Sequence, residues 1–95
     1  MPEDVLFKSE LAQSRDEIAS SFRSVAENLE QGGSITLKRG SESVTMDPPP
    51  RPTFKVKAER EGPEAGPGEL SIEFELEWYE HSETGDGEAG TLEIE

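Results

Sequence analysis

The chain has 95 residues, and its 22 Asp and Glu against 9 Lys and Arg give a formal net charge of −13. This excess of negative charge argues against nucleic-acid binding through phosphate contacts. The absence of cysteine excludes disulfides and thiolate metal sites. A chain of this length forms one small domain with a thin core, and no window is long and apolar enough to predict a membrane span.

The charge balance also indicates the environment in which the chain folds. Self-repulsion among carboxylates destabilises a compact state at low salt, whereas molar salt shortens the Debye length to about 3 Å and removes most of that cost. Only four of the basic residues are lysines. We therefore expect a halophilic source, and the alternative is an ordinary acidic protein with an acidic tail. Because the first seven residues lack a basic, apolar signal sequence, we expect a cytoplasmic protein.

The first clear element in chain order is an amphipathic helix. Ser14 followed by Glu17 is a capping-box pattern, which predicts that the helix starts there. Gly32 and Gly33 predict its end, because glycine accepts the left-handed conformation of a helix C-terminus. Before the helix, the apolar residues within Asp4–Glu10 predict a short edge strand, with a hydrophobic lead-in to the helix as the alternative. The helix stripe recurs at spacings of three and four and consists of Ile18, Phe22, Val25, Ala26 and Leu29.

After residue 34 the apolar period changes to two, which predicts a β-hairpin. The two-residue turn Gly40-Ser41, with glycine first as a type II′ turn prefers, sets the strand register. That register places all four apolar side chains on one face and an opposite-charge pair at the tip, which supports the turn assignment. The predicted cross-strand pairs are Leu37 with Val44, Ile35 with Met46, and Arg39 with Glu42.

A proline-rich connector and two further strands follow. The segment Asp47–Pro52 cannot join a central ladder, because proline lacks the N–H group and fixes its φ angle. Beyond it, Phe54, Val56 and Ala58 alternate with polar residues in a third strand. A Gly- and Pro-rich turn over residues 61–68 leads to the longest alternation, over residues 70–79, with one apolar and one acidic face. We expect the lysines Lys55 and Lys57 to lie across from the acidic row Glu73, Glu75 and Glu77.

Together these elements predict an α+β fold. We expect one amphipathic helix packed on an antiparallel sheet of four strands, or five if the N-terminal segment forms one, as a two-layer sandwich. Residues 1–80 would form this single domain. Residues 81–95, rich in Gly and Glu and without periodicity, predict an acidic disordered tail.

The sequence shows no catalytic constellation. His81 is the sole histidine, so neither a hydrolytic triad nor a histidine-based zinc site is supported. The glycine-containing loops match no phosphate-binding or calcium-binding motif. The acidic row Glu73, Glu75 and Glu77 has the spacing to bind a hard cation, although a solvated sheet face is the simpler interpretation. We expect a protein that is not an enzyme, with no catalytic residues, no cofactor and no resident metal.

Two adjacent aromatic residues stand out near the end of the longest strand. Trp78 continues the apolar row and is expected at the core or its edge, whereas Tyr79 continues the acidic row and is expected to be partly exposed. An exposed aromatic side chain can anchor a protein partner. Because the third strand looks shorter, the Trp78 end is also expected to present an unpaired edge. Trp78 and Tyr79 are therefore candidate partner contacts. The alternative is an ordinary sheet edge whose charged side chains prevent another strand from pairing with it.

The chain resembles the amphi-Trp domain family, named for an amphipathic segment that ends in tryptophan. The matching segments are Phe7-Lys8-Ser9-Glu10, then Ser14-Arg15-Asp16-Glu17 at the helix start, Leu29 with Gly32 and Gly33 at its end, and Leu70-Ser71-Ile72-Glu73-Phe74-Glu75-Leu76-Glu77-Trp78. The resemblance implies a short stand-alone protein of a kind frequent in halophilic archaea. It implies no established activity and transfers no catalytic residue.

These observations favour a non-enzymatic protein interaction module that works as a homodimer or as an adaptor for another protein. They predict no membrane partner and no nucleic acid. The alternative function is a small-ligand or divalent-cation-binding domain that uses the acidic sheet face. A third hypothesis is an acidic mimic of nucleic acid that occupies a basic protein, and its binding would weaken steeply with salt.

Overall fold

The computed structural model describes residues 3–81, 87 and 90–95. Its fold is α+β, with one helix, α1 (Arg15–Glu30), and four strands, β1 (Ile35–Arg39), β2 (Glu42–Met46), β3 (Thr53–Glu61) and β4 (Glu69–Glu77). The chain divides into two compact units, Met1–Pro48 and Pro49–Glu95. The first unit contains α1, β1 and β2, and the second contains β3 and β4.

The predicted limits of the helix are confirmed. The Ser14 hydroxyl accepts a hydrogen bond from the Glu17 amide at 3.1 Å, and the Glu17 carboxylate accepts one from the Ser14 amide at 3.4 Å. At the other end Gly32 has φ +68°, and the Gly33 amide donates to the Asn28 carbonyl at 2.9 Å. This arrangement satisfies the last carbonyl groups of the helix, as a glycine cap is expected to do.

The capping box yields a stability prediction. We expect Ser14→Ala to lower the free energy of unfolding by about 1 kcal/mol, because the replacement leaves the Glu17 amide without its acceptor. Thermal unfolding followed by the helical circular dichroism signal measures the change. Ser24→Ala is the matched control, since its hydroxyl bonds only the Ser20 carbonyl within the helix and alanine is the better helix former. An equal loss in both variants would contradict a capping role for Ser14.

The first hairpin has the predicted register. Ile35 pairs with Met46, Leu37 with Val44, and Arg39 with Glu42. Gly40 has φ +60° while Ser41 has no positive φ, as a type II′ turn requires. On the polar face the Thr36 and Thr45 hydroxyl groups are hydrogen-bonded at 2.9 Å. The open end of the hairpin is joined by a hydrogen bond from the Ser34 hydroxyl to the Asp47 carboxylate. The helix α1 contacts β1 of this hairpin.

The single four-stranded sheet predicted from the sequence is wrong. The strands form two separate two-stranded antiparallel sheets, β1 with β2 and β3 with β4. The connector Asp47–Pro52 explains why β2 and β3 do not pair with each other. A hairpin between these strands needs a tight turn, and three consecutive prolines within this segment cannot supply its amide donors. The expected single two-layer core is therefore also absent, and no described side chain is fully enclosed.

Two further boundaries differ from the prediction. The segment Asp4–Glu10 forms neither strand nor helix, so the fifth strand is not present. The alternation that continues through residue 79 leaves the ladder at Glu77, the partner of Thr53. Beside this end, the Gly87 amide donates to the Thr53 hydroxyl at 2.7 Å. The tail predicted over residues 81–95 falls partly on residues 82–86 and 88–89, which lie outside the described residues, and it stays a prediction.

No helix in the part of the chain that the structure describes is long and apolar enough to cross a membrane.

Candidate interaction surface

The second hairpin presents an apolar face to solvent. Its members alternate along β3 and β4, whose nine-residue ladder pairs Phe54 with Leu76 and Val56 with Phe74. The Phe54 and Phe74 rings lie diagonally across the ladder, stacked with centroids 6.2 Å apart and planes at 14°. Exposure rises towards the turn, from 41% at Phe74 to 68% at Ile72 and 78% at Leu70. We call this surface the apolar face, and its residues are Phe54, Val56, Ala58, Leu70, Ile72, Phe74 and Leu76.

The opposite surface of the same hairpin, which we call the charged face, carries lysines among glutamates. Lys55 lies opposite Glu75 in the ladder, and Lys57 lies opposite Glu73, as predicted. The Lys55 ammonium group binds the Glu77 carboxylate at 3.0 Å, diagonally across the strands. The β3 lysines thus lie against the acidic row and offset part of its repulsion.

One ion pair on this face changes the pKa of both its members. The Lys57 Nζ lies 2.7 Å from the Glu59 carboxylate, two residues along the same strand. This hydrogen bond and the negative charges of Glu59 and Glu73 raise the pKa of Lys57 above its ordinary value. Hydrogen bonds from Lys57 and from Glu61, together with the charge of Lys57, lower the pKa of Glu59. Lys57 is exposed and Glu59 is partly exposed, so solvent screens the pair.

We expect the pKa of Glu59 to rise towards 4.5 in Lys57→Met, because that variant removes the first cause of the depression. A carbon-13 NMR titration of the carboxyl group measures it, and an unchanged pKa would contradict the pairing. A carboxyl whose pKa is lower in the folded chain contributes stability that is fully present above its unfolded pKa and is lost as the pH falls through the folded value. The small contribution of Glu59 should therefore begin to fall below about pH 4.5 and be lost as the pH passes through its lowered pKa. It should be smaller in the variant, where the Glu61 hydrogen bond still lowers that pKa.

The structure places the two predicted contact residues just beyond the ladder. Trp78 and Tyr79 follow the last residue of β4, with Trp78 half-buried and Tyr79 exposed over 64% of its surface. The predicted overhang past a shorter third strand is wrong, since β3 and β4 each have nine residues and end in register. The aromatic pair therefore lies at the end of the hairpin, next to the apolar face at Leu76.

The acidic residues form no evident metal centre. Among the described residues, no group of three or more His, Asp and Glu side chains is placed to hold a metal ion. The row Glu73, Glu75 and Glu77 faces lysines rather than a cleft. His81 sits in a turn with φ +59°, which is an uncommon conformation for a residue other than glycine.

Sequence reasoning missed two features of this hairpin. It assigned Ile72 and Leu70 to a core, whereas they are the most exposed large side chains of the apolar face. It also overlooked the change of charge sign along β3, where lysines at 55 and 57 precede glutamates at 59 and 61. The second feature is visible in the sequence at a spacing of two, whereas the first depends on which surfaces meet in the folded chain.

One of three comparisons with known proteins finds a match. No curated protein and no solved structure matches the chain. The family model described as the Amphi-Trp domain matches residues 1–95, which is the whole of the sequence. The helix, both hairpins and the aromatic pair lie within the matched residues. The chain belongs to the Amphi-Trp domain family.

Proposed function

We propose that this chain is a non-enzymatic protein interaction module, acting as a homodimer or as an adaptor, and that its apolar face is the contact surface. The exposure of that face carries the proposal. A two-stranded hairpin in water is marginally stable at best, and it gains stability when a partner covers its apolar side. Large exposed apolar patches rimmed by polar residues mark such contact sites. Here Arg60, opposite Leu70 in the ladder, is the charged residue on that side at the turn end of the hairpin.

The candidate contacts Trp78 and Tyr79 extend this surface at one end. Tyrosine and tryptophan are enriched at the centres of protein interfaces because they bury a large apolar area with few rotatable bonds. The exposed Tyr79 side chain, two residues beyond the end of β4, fits such an anchor. A cytoplasmic location belongs to the same proposal, and cell fractionation checks it.

A photo-crosslinking amino acid at position 72 tests the proposal in the host cell. We expect a discrete adduct, either at twice the mass of the chain for a homodimer or at the combined mass of the chain and a partner. The same amino acid at position 71 is the matched control, because Ser71 points to the charged face of the same strand. Tyr79→Ala should reduce the adduct at position 72. The absence of adducts at 72, or equal adducts at 71 and 72, would contradict the proposal.

The alternative function, binding of a small ligand or divalent cation on the acidic sheet face, stays a prediction. The placement of Lys55 and Lys57 opposite that row counts against it, because a bound cation would lie beside two ammonium groups. No observation in the described residues favours it over protein binding.

A further inference from the structure

The strand β3 has a charge pattern that is complementary to itself. On the charged face its first half carries Lys55 and Lys57, and its second half carries Glu59 and Glu61. Two antiparallel copies of such a strand place the basic half of each beside the acidic half of the other. Opposite charges on directly facing residues stabilise a pair of strands, and like charges destabilise it.

We propose that β3 pairs edge to edge with β3 of a second copy, antiparallel, about a two-fold axis at Ala58. In this register Lys57 faces Glu59 of the second copy, Lys55 faces Glu61, and Ala58 faces its own equivalent. The inference rests on the proposed function, since it names a second copy of the chain as one partner. It uses the edge of the hairpin and leaves the apolar face for another contact.

The other described strands lack this property. Pairing β4 with its own copy would set Glu73, Glu75 and Glu77 against the same row, which is repulsive. The strand β1 carries only positive charges, at Lys38 and Arg39, and β2 has a single charge at Glu42. Among the four strands, β3 is therefore the one whose edge fits a second copy of itself.

The register is selected by the same charges. Moving the axis from Ala58 to Lys57 would place the two Lys57 side chains directly opposite each other, which costs free energy. Moving it by half a residue would bring the charged face of one copy beside the apolar face of the other. The axis at Ala58 avoids both and aligns four lysine–glutamate pairs across the edge.

The described contacts of β3 bear on whether this pairing can form. No described strand lies on the side of β3 away from β4. The paired segment would be 55–61, which leaves outside it the Thr53 hydroxyl that accepts from the Gly87 amide at 2.7 Å. The Lys57 ammonium group lies 2.7 Å from Glu59 of its own chain and has further donors for Glu59 of the second copy. The product would be a four-stranded antiparallel sheet in the order β4, β3, β3, β4.

Charge reversal at two positions tests the inference. The variants Lys57→Glu and Glu59→Lys each set like charges against each other across the edge. We expect each alone to weaken dimerisation at least about tenfold, because two facing pairs per dimer change from attraction to repulsion. Mixed in equal amounts, the two variants should dimerise as the parent does, since every facing pair is then opposite in sign. Mixing changes nothing inside either chain, so a recovery reports contact between copies.

Sedimentation velocity with light scattering measures the association. The experiment uses the lowest KCl concentration at which circular dichroism shows that the parent and both variants are folded. The protein concentration extends to about 1 mM, because pairing along one short strand buries little area and gives a weak complex. Glu59→Lys separates specific pairing from net charge. It reduces the net negative charge from −13 to −11. If general repulsion between chains were the only effect, this variant would associate more strongly than the parent.

A second measurement uses the absence of cysteine in the chain. Ala58→Cys should form a disulfide-linked dimer on mild oxidation, because facing Cβ atoms in such a pair lie about 4.5–5.5 Å apart. Ser71→Cys, on β4, should not. The inference is overturned if the parent is monomeric at about 1 mM, if the mixed variants stay monomeric where the parent dimerises, or if both cysteine variants cross-link alike. A monomeric parent would remove the homodimer form of the proposed function and leave the adaptor form, which the adduct at position 72 tests separately.

Discussion

The melting temperature of this protein should rise by about 10 °C or more between 0.1 M and molar KCl, where the Debye length falls from about 10 Å to about 3 Å. The cause is the net charge of −13 on 95 residues. Part of this repulsion is local, because Glu61 faces Glu69 directly at the end of the second ladder. Circular dichroism melting curves across a KCl series measure the effect. A melting temperature that does not rise would count against a halophilic source.

The variant Glu69→Lys separates charge screening from general effects of salt. It turns the Glu61–Glu69 pair into one of opposite sign, so at low salt it should raise the free energy of unfolding by about 1 kcal/mol. The gain should shrink in molar KCl as screening increases. Glu69→Gln is the intermediate control, with about half the gain. A salt slope that is the same in all three chains would show that screening of this repulsion is not what stabilises the fold.

Gly62→Ala should destabilise the second hairpin by about 2–3 kcal/mol, because Gly62 has backbone angles that residues with a side chain rarely adopt. Gly62 has φ +138°. An added Cβ would lie 2.8 Å from the Gly68 Cα, a backbone atom that cannot move aside without opening the turn. The same turn is held by the Arg60 guanidinium, which donates to the Pro63 carbonyl at 2.9 Å and to the Gly66 carbonyl at 3.1 Å.

Gly33→Ala is the matched control for this turn variant. Its Cβ would meet only the Asn28 carbonyl oxygen, at an ordinary 3.7 Å, and its φ is not positive. We expect a change of less than about 0.5 kcal/mol there. Urea unfolding followed by Trp78 fluorescence and by far-ultraviolet circular dichroism measures both variants. Equal stability of Gly62→Ala and the parent would mean that the 62–68 turn adopts another conformation in solution.

Local signals predicted the individual elements well. The Ser14 and Glu17 pair and the two glycines after the helix define its ends through hydrogen bonds between residues three to five positions apart. The Gly40-Ser41 turn likewise determines the register of the first hairpin, because a two-residue loop leaves one way to pair the strands. The Lys55 and Lys57 positions opposite the acidic row follow from the same alternation.

The candidate surface was only partly predictable. The sequence identifies Trp78 and Tyr79 as the sole Trp and Tyr and indicates an exposed Tyr79. It does not reveal that Leu70 and Ile72 are exposed, because alternation shows which residues share a face and says nothing about what covers that face. The expected strand at Asp4–Glu10 failed for a related reason, since a short apolar run becomes a strand only when another edge pairs with it.

The sequence by itself determined the helix, its two ends, four strands, their pairing within hairpins and the excess of negative charge. Only the tertiary structure decided that the hairpins form two separate sheets and that the apolar face of β3 and β4 is open to solvent. Turns and caps act between residues close in the chain, whereas the pairing of distant edges depends on small free-energy differences among arrangements that share the same local pattern.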